Sequence, residues 1–182
     1  KPVFNLWRSI SISSSGQYQT SCVSGDFIWT SNDYGQTWTQ KASTNSWRGI
    51  SISSSGQYQT AVIGNLGTYI VGKIYVSTDY GQTWTPRDSD IQWTGISISA
   101  TGQYQVACAY NGQIYVSNDY GGSWAPKETN RNWSSISISG SGQYITSSVS
   151  FENIYTSSAI PSNCKTFVID HPLDTSKYLV HA

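Results

Sequence analysis

The chain has 182 residues, only 11% of them charged, and ten basic side chains balance ten acidic ones to a net charge of zero. A chain of that length suits one domain, able to bury about 70% of its extended-chain surface. The balance of charge excludes an electrostatic grip on nucleic acid, which needs clustered Lys and Arg, and no apolar run approaches the ~20 residues of a membrane span. No leader peptide is legible, and a start at Lys1 without Met reads as a processed or partial chain.

From Trp7 the chain repeats itself. WRSISISSSGQYQT at Trp7 returns as WRGISISSSGQYQT at Trp47, WTGISISATGQYQV at Trp93 and WSSISISGSGQYIT at Trp133, with starts 40, 46 and 40 residues apart. A period near 40 marks an array in which neighbouring units bury each other's faces. A residue present in every copy is then read first as part of the unit's architecture.

Within the first unit, Ser9 to Ser13 alternates apolar and polar, the two-residue period of a strand. Ser14-Ser15-Gly16 supplies a turn. Gln17 to Val23 alternates again, placing Tyr18, Thr20 and Cys22 on one side. Gly25-Asp26 breaks this run, Phe27 to Ser31 reads as a third strand, Asn32 to Gly35 as a tight turn, and Gln36 to Gln40 as a fourth strand. Four short antiparallel strands per unit predict an all-β protein, a β-propeller of about four four-stranded blades. A parallel solenoid competes, but it needs no tight hairpin within each coil. The second unit carries six extra residues, Gly64 to Tyr69, between its second and third strands; such an insertion belongs in a loop, as part of a binding face or as neutral drift.

Cys22 and Cys108 occupy equivalent places in units one and three and read as small, buried, unpaired apolar residues. The state of Cys164 stays open. Trp7, Trp47, Trp93 and Trp133 read as packing between blades, and Trp29, Tyr75, Tyr115 and Tyr155 as third-strand aromatics set against a neighbouring sheet. The serine-rich first strands suit a close approach of sheets.

Three turns are near-identical: SNDYGQTW (Ser31 to Trp38), STDYGQTW (Ser77 to Trp84) and SNDYGGSW (Ser117 to Trp124). Asp33, Asp79 and Asp119 can accept from turn amides, while Gly35, Gly81 and Gly121 allow positive φ. Trp38, Trp84 and Trp124 bring large apolar bodies to wedge between units. These turns resemble the Asp-box, or BNR-like, repeat, which implies a propeller whose Asp-boxes are structural staples on the outer rim. The fourth unit lacks the turn, reading Ser157 to Cys164 where it is due. Lys1 aligns with Lys41, Arg87 and Lys127, so the first unit opens late in a preceding fourth strand. Either the ring closes with four blades or the array is longer.

The repeat organisation spans 1–163, with a β-hairpin-like tail over 164–182, where 165–169 and 178–180 read as strands. KTFVIDHPLDTSKYLVHA resembles a segment of fibre-like proteins of giant viruses and phages, in which it follows such repeats and precedes an intramolecular chaperone domain. That resemblance implies an extracellular or virion-surface fibre or adhesin, with a homo-oligomer as one state of a full-length parent.

Catalytic chemistry is hard to place. A sialidase would need an arginine cluster on the substrate carboxylate and a Tyr–Glu pair. Here Arg8 and Arg48 are repeat-equivalent and so expected to lie apart, and the glutamates are Glu128 and Glu152 alone. His171 and His181 both fall in the tail, and no zinc-ligand spacing, phosphate loop or nucleophile elbow occurs. The sequence therefore predicts a non-enzyme with no metal and no cofactor. Tyr34, Tyr80 and Tyr120, at the turn tips, are the candidate ligand-binding residues, and a glycan or host-surface receptor is the candidate partner. A structural spacer or protein-assembly scaffold is the alternative.

Overall fold

A computed structural model describes residues 5–64 and 69–158. Among these the strands are β1 (Trp7–Ile12), β2 (Gln19–Ser31), β3 (Thr39–Ile52), β4 (Gln59–Ile63), β5 (Gly72–Ser77), β6 (Thr85–Ile91), β7 (Trp93–Ile98), β8 (Gln105–Ala109), β9 (Gly112–Ser117), β10 (Ala125–Arg131), β11 (Trp133–Ile138), β12 (Tyr144–Val149) and β13 (Ile154–Ser158). Each pairs antiparallel with its sequence neighbour inside a sheet. The chain is thus all-β over the described residues, with no helix.

Four units stand side by side. β1, the two legs of β2 and the start of β3 form the first, and the end of β3 with β4, β5 and β6 forms the second. β7 to β10 and β11 to β13 form the third and fourth. Two strands run on where the sequence suggested breaks. β2 passes through Gly25 at φ 81°, taking up the extra residues as register shifts, and β3 crosses from the first unit to the second without interruption. The expected fourth strand at 36–40 begins at Thr39 instead, because Gln36 to Trp38 belong to the turn.

Three apolar clusters fill the three spaces between units. Cys22 and Ile28 of the first unit meet Trp47, Ile50 and Ala61 of the second. Val62, Ile74 and Val76 meet Trp93, Ala107 and Ala109, and Val106, Cys108, Ile114 and Val116 meet Trp133, Ile136, Ile138 and Ile145. Trp47, Trp93 and Trp133 are fully buried, whereas Trp7, with no described unit before it, is 55% exposed. The sheets do not close into a ring among the described residues.

First strands of successive units pack directly together at the inner edge, which explains their serines. Ser51 Oγ accepts from the Ile98 amide at 3.1 Å, Ser97 Oγ accepts from Ile138 at 3.2 Å, and Ser9 Oγ donates to the Ile50 carbonyl. The turns after these strands continue the contact as a backbone ladder: Ser14 N to Ser54 O, Ser54 N to Ala100 O, and Ala100 N to Gly140 O. A bulky side chain would hold these backbones apart. Gly95 shows the limit, since a Cβ there would stand 3.2 Å from Cys108 Sγ and 3.3 Å from Ile136 N.

Residues 164–182, with both proposed tail strands and Cys164, lie outside the described residues, as do Asn65 to Thr68 of the insertion.

Candidate functional site

Each Asp-box turn is a closed hydrogen-bond circuit. Ser31 Oγ donates to Asp33 Oδ1 at 2.8 Å and accepts from the Gly35 amide at 2.9 Å. Asp33 Oδ1 also accepts from the Thr37 amide, and Asp33 Oδ2 accepts from the Thr37 hydroxyl. Ser77, Asp79 and Thr83 repeat the circuit, as do Ser117, Asp119 and Ser123. The Thr37 hydroxyl, the Thr37 amide and Ser31 pull the Asp33 carboxyl down to about 2. At Asp79 and Asp119 burial is the largest influence and opposes ionisation, yet the bonds from Thr83 and Ser77, or Ser123 and Ser117, together outweigh it and leave the pKa lowered. These carboxylates are committed to holding their own loops.

Tyr and Gly at each tip both take positive φ: 63° and 83° at Tyr34-Gly35, 61° and 79° at Tyr80-Gly81, 61° and 81° at Tyr120-Gly121. With Gln36 N donating to Asp33 O, and Gln82 N to Asp79 O, these are the φ values of the type I′ hairpin, where Asn or Gly is the usual first residue. Holding a tyrosine there costs about 1–2 kcal/mol. What each ring gains is visible for two of them. Tyr80 stacks on Tyr18 of the preceding unit with centroids 4.6 Å apart, and Tyr120 stacks on Tyr58 at 4.5 Å. They remain 37% and 39% exposed, while Tyr34 is 61% exposed.

The three tips therefore form one row along the rim. Between the first two lies a cleft of about 130 Å³ lined by Thr30, Asn32, Thr37, Thr39, Gln82 and Tyr80. Lys41 Nζ, at its edge, donates to Gln82 Oε1 at 2.8 Å. The cleft offers hydroxyls, amides and one aromatic face, a donor set suited to a neutral, hydroxyl-rich ligand. Trp84 and Trp124, half-buried, pack against the clusters shared with the preceding units; Trp38 lines an open groove with Trp7 and Trp29.

Arg8 and Arg48 do not lie apart as expected. Burial first, and the Arg8 charge second, lower the pKa of Arg48, because adjacent first strands converge at the inner edge. Arg131 stands elsewhere, 3.3 Å from Glu152 and 4.8 Å from the Tyr155 ring centroid. Tyr155 donates to Glu152 at 3.3 Å, so a Tyr–Glu contact exists, but it is exposed and has a single arginine beside it. Among the described residues, no three His, Cys, Asp or Glu side chains converge on one point. Trp29, Tyr75, Tyr115 and Tyr155 pack on the first-strand tryptophans of their own units, at 6.5, 5.0, 5.0 and 5.4 Å.

One feature is legible in the sequence only at the Gly64 to Tyr69 insertion. The loops between second and third strands, at the end of each unit away from the Asp-boxes, expose Tyr69, Tyr110 and Phe151. The loops hold equivalent places, between β4 and β5, β8 and β9, and β12 and β13, but their residues differ in every copy, so no repeated motif points to them.

The BNR-Asp box repeat family matches the chain at residues 28–41 and 114–129, around the turns of Asp33 and Asp119. Comparison with curated protein sequences finds no match. Among solved structures, the GH74 enzyme of Niastella koreensis superposes with a TM-score of 0.70 at 16% identity, over 88% of this chain and 30% of that one. YCF48, in a structure titled as bound to D1 peptide, superposes at 0.62 and 18% identity, over 94% and 53%. The GH74 xyloglucanase of Xanthomonas campestris superposes at 0.68 and 13% identity, over 86% and 28%. The chain thus spans from about a quarter to about half the length of these neighbours. Repeat match and neighbours together support a BNR-type β-propeller fold.

Proposed function

We propose that the chain is a non-catalytic attachment module that binds neutral glycan through shallow, repeated sites along its Asp-box rim. The observation that carries this reading is the set of three tip tyrosines held at positive φ, one of which, Tyr80, lines a cleft of hydroxyls and amides. Tyr80 and Tyr120 are accounted for in part by their stacks on the preceding unit, but at the 61% exposed Tyr34 a turn built for stability alone would place Asn or Gly. Each contact is shallow, so useful affinity comes from several sites engaging one ligand or surface. A xyloglucanase among the fold neighbours fits a glycan as the ligand class. The aspartates of the rim are spent on their own loops, which favours binding over hydrolysis. Display on a fibre or adhesin, outside a cell or on a virion, is the setting that the tail's resemblance supports.

The test is a glycan array probed with the chain, with a variant carrying Tyr34→Ala, Tyr80→Ala and Tyr120→Ala, and with one carrying Asn32→Ala and Gln82→Ala, which leaves the tyrosine stacks intact. The proposal expects signal that falls in both variants. A blank array for the unaltered chain, or equal signal from all three, overturns it. A second reading, a scaffold for another protein, is favoured by the exposed Tyr69, Tyr110 and Phe151 at the opposite end. It expects a stoichiometric protein partner lost on changing those three residues to Ser.

A further inference from the structure

The three internal interfaces follow one pairing rule. The forward face of each unit offers a residue on its second strand to the backward face of the next. Thr20 Oγ1 donates to Gln59 Oε1 at 2.7 Å, and Thr60 Oγ1 donates to Gln105 Oε1 at 2.6 Å, both buried. At the third interface both partners change together, and Val106 lies in one cluster with Ile145. Polar meets polar and apolar meets apolar, because a mixed pair would bury an unsatisfied hydroxyl or amide. Alongside, Ile28, Ile74 and Ile114 are buried in the clusters of Trp47, Trp93 and Trp133.

Two half-interfaces have no mate among the described residues. The backward face of the first unit presents Gln19 with Trp7, Ile10 and Ile12, the last three 55%, 67% and 57% exposed, beside a groove of about 880 Å³. Gln19 Nε2 donates to Gly16 O at 3.1 Å, the bond that also orients Gln59 and Gln105. The forward face of the fourth unit presents Thr146 and an Ile154 that is 46% exposed where its three equivalents are buried.

These halves obey the same rule three times over. Thr146 matches Gln19, Ile154 matches Trp7, and Tyr144, 60% exposed, matches the lone Tyr34 as Tyr18 matches Tyr80. The backbone ladder likewise ends in the Gly140 amide on one side and the Ser14 carbonyl on the other. The four units do not bend far enough to bring their own ends together. They span 53% of the YCF48 chain and 28–30% of the GH74 chains, so longer propeller chains hold more units than these four.

We propose that the occupant of the first unit's open face is the fourth unit of a second copy, so that two chains, joined head to tail at both ends, complete one ring. Each of the two junctions repeats the Thr–Gln, Ile–Trp and Tyr–Tyr contacts found inside the chain. A heterologous contact that closes after two copies gives a finite dimer.

The test is the molar mass of the full chain by light scattering across a dilution series, with Gln19→Ile, Thr146→Val and the double variant. The expected mass is twice the 20.0 kDa of one chain. Each single change strands one polar group at both junctions. It is expected to weaken the dimer about a hundredfold, roughly tenfold per junction. The double change recreates the Val106–Ile145 pairing and is expected to recover affinity to within about threefold. A single-chain mass at every concentration overturns the proposal, as does an open series of larger assemblies. So does a dimer that the single variants leave unaffected or the double variant fails to rescue.

Discussion

Tyr80, at the tip of the second Asp-box turn, stacks on Tyr18 of the unit before it with ring centroids 4.6 Å apart. The rim tyrosines thus serve two ends: one side of each ring ties adjacent units together, and the other faces solvent. Tyr34 has only the second role within a single chain.

That division predicts unequal costs. Tyr80→Ala keeps the positive φ and loses the stack, so it should lower unfolding stability by about 1–2 kcal/mol. Tyr34→Ala should stay within about 0.5 kcal/mol of the unaltered chain. Urea unfolding at a dilution where the chain is monomeric measures both. Equal losses at the two positions would contradict the inter-unit role of Tyr80.

Acid should loosen the rim. Asp33 titrates at about 2 in the folded chain, and Asp79 and Asp119 are also lowered, against about 3.9 for an unfolded aspartate. A depressed folded pKa contributes stability that is present above the unfolded value and lost as pH falls through the folded one. Urea midpoints should therefore fall between about pH 5 and pH 2. A chain with Asp33, Asp79 and Asp119 all changed to Asn should start lower and lose much of that slope. An unchanged slope would mean the circuits contribute nothing.

Cys22 and Cys108 are fully buried and free, and burial pushes both thiols up to about 12. In a Cys164→Ser background, neither should react with a disulfide reagent at pH 8 until the chain unfolds, when both should. Fast labelling of the native chain would show the first or third interface to be open.

Much of this fold was legible because it is repeated. The turn that begins at Ser31 returns at Ser77 and Ser117, so its strand–turn–strand reading is made three times over. Burial of Cys22 and Cys108 followed from their equivalent places in units one and three, and the structure buries the whole of β8 around Cys108. What stayed hidden depends on neighbours distant in sequence. The serines of the first strands bond the backbone of the next unit, and nothing within one repeat predicts that partner. Tyr18 meets Tyr80 in a different unit, so the stack is invisible in either motif alone. Arg8 and Arg48 were expected apart because repeat-equivalence suggests separation, but first strands converge at the inner edge. β3 runs through a unit boundary because Gln40 to Ser46 contain no residue that must end a strand.

Side-by-side packing of matched sheets underlies every placement above, and the Thr60–Gln105 pair tests it most directly. Thr60→Val and Gln105→Ile each leave a buried polar group without its partner and should each cost about 1–3 kcal/mol in unfolding stability. Combined, they recreate the apolar pair found at Val106 and Ile145. The account predicts that the double variant is more stable than the sum of the single losses allows by about 1 kcal/mol or more. Strictly additive losses would contradict it, since residues on sheets that do not face one another have no reason to compensate.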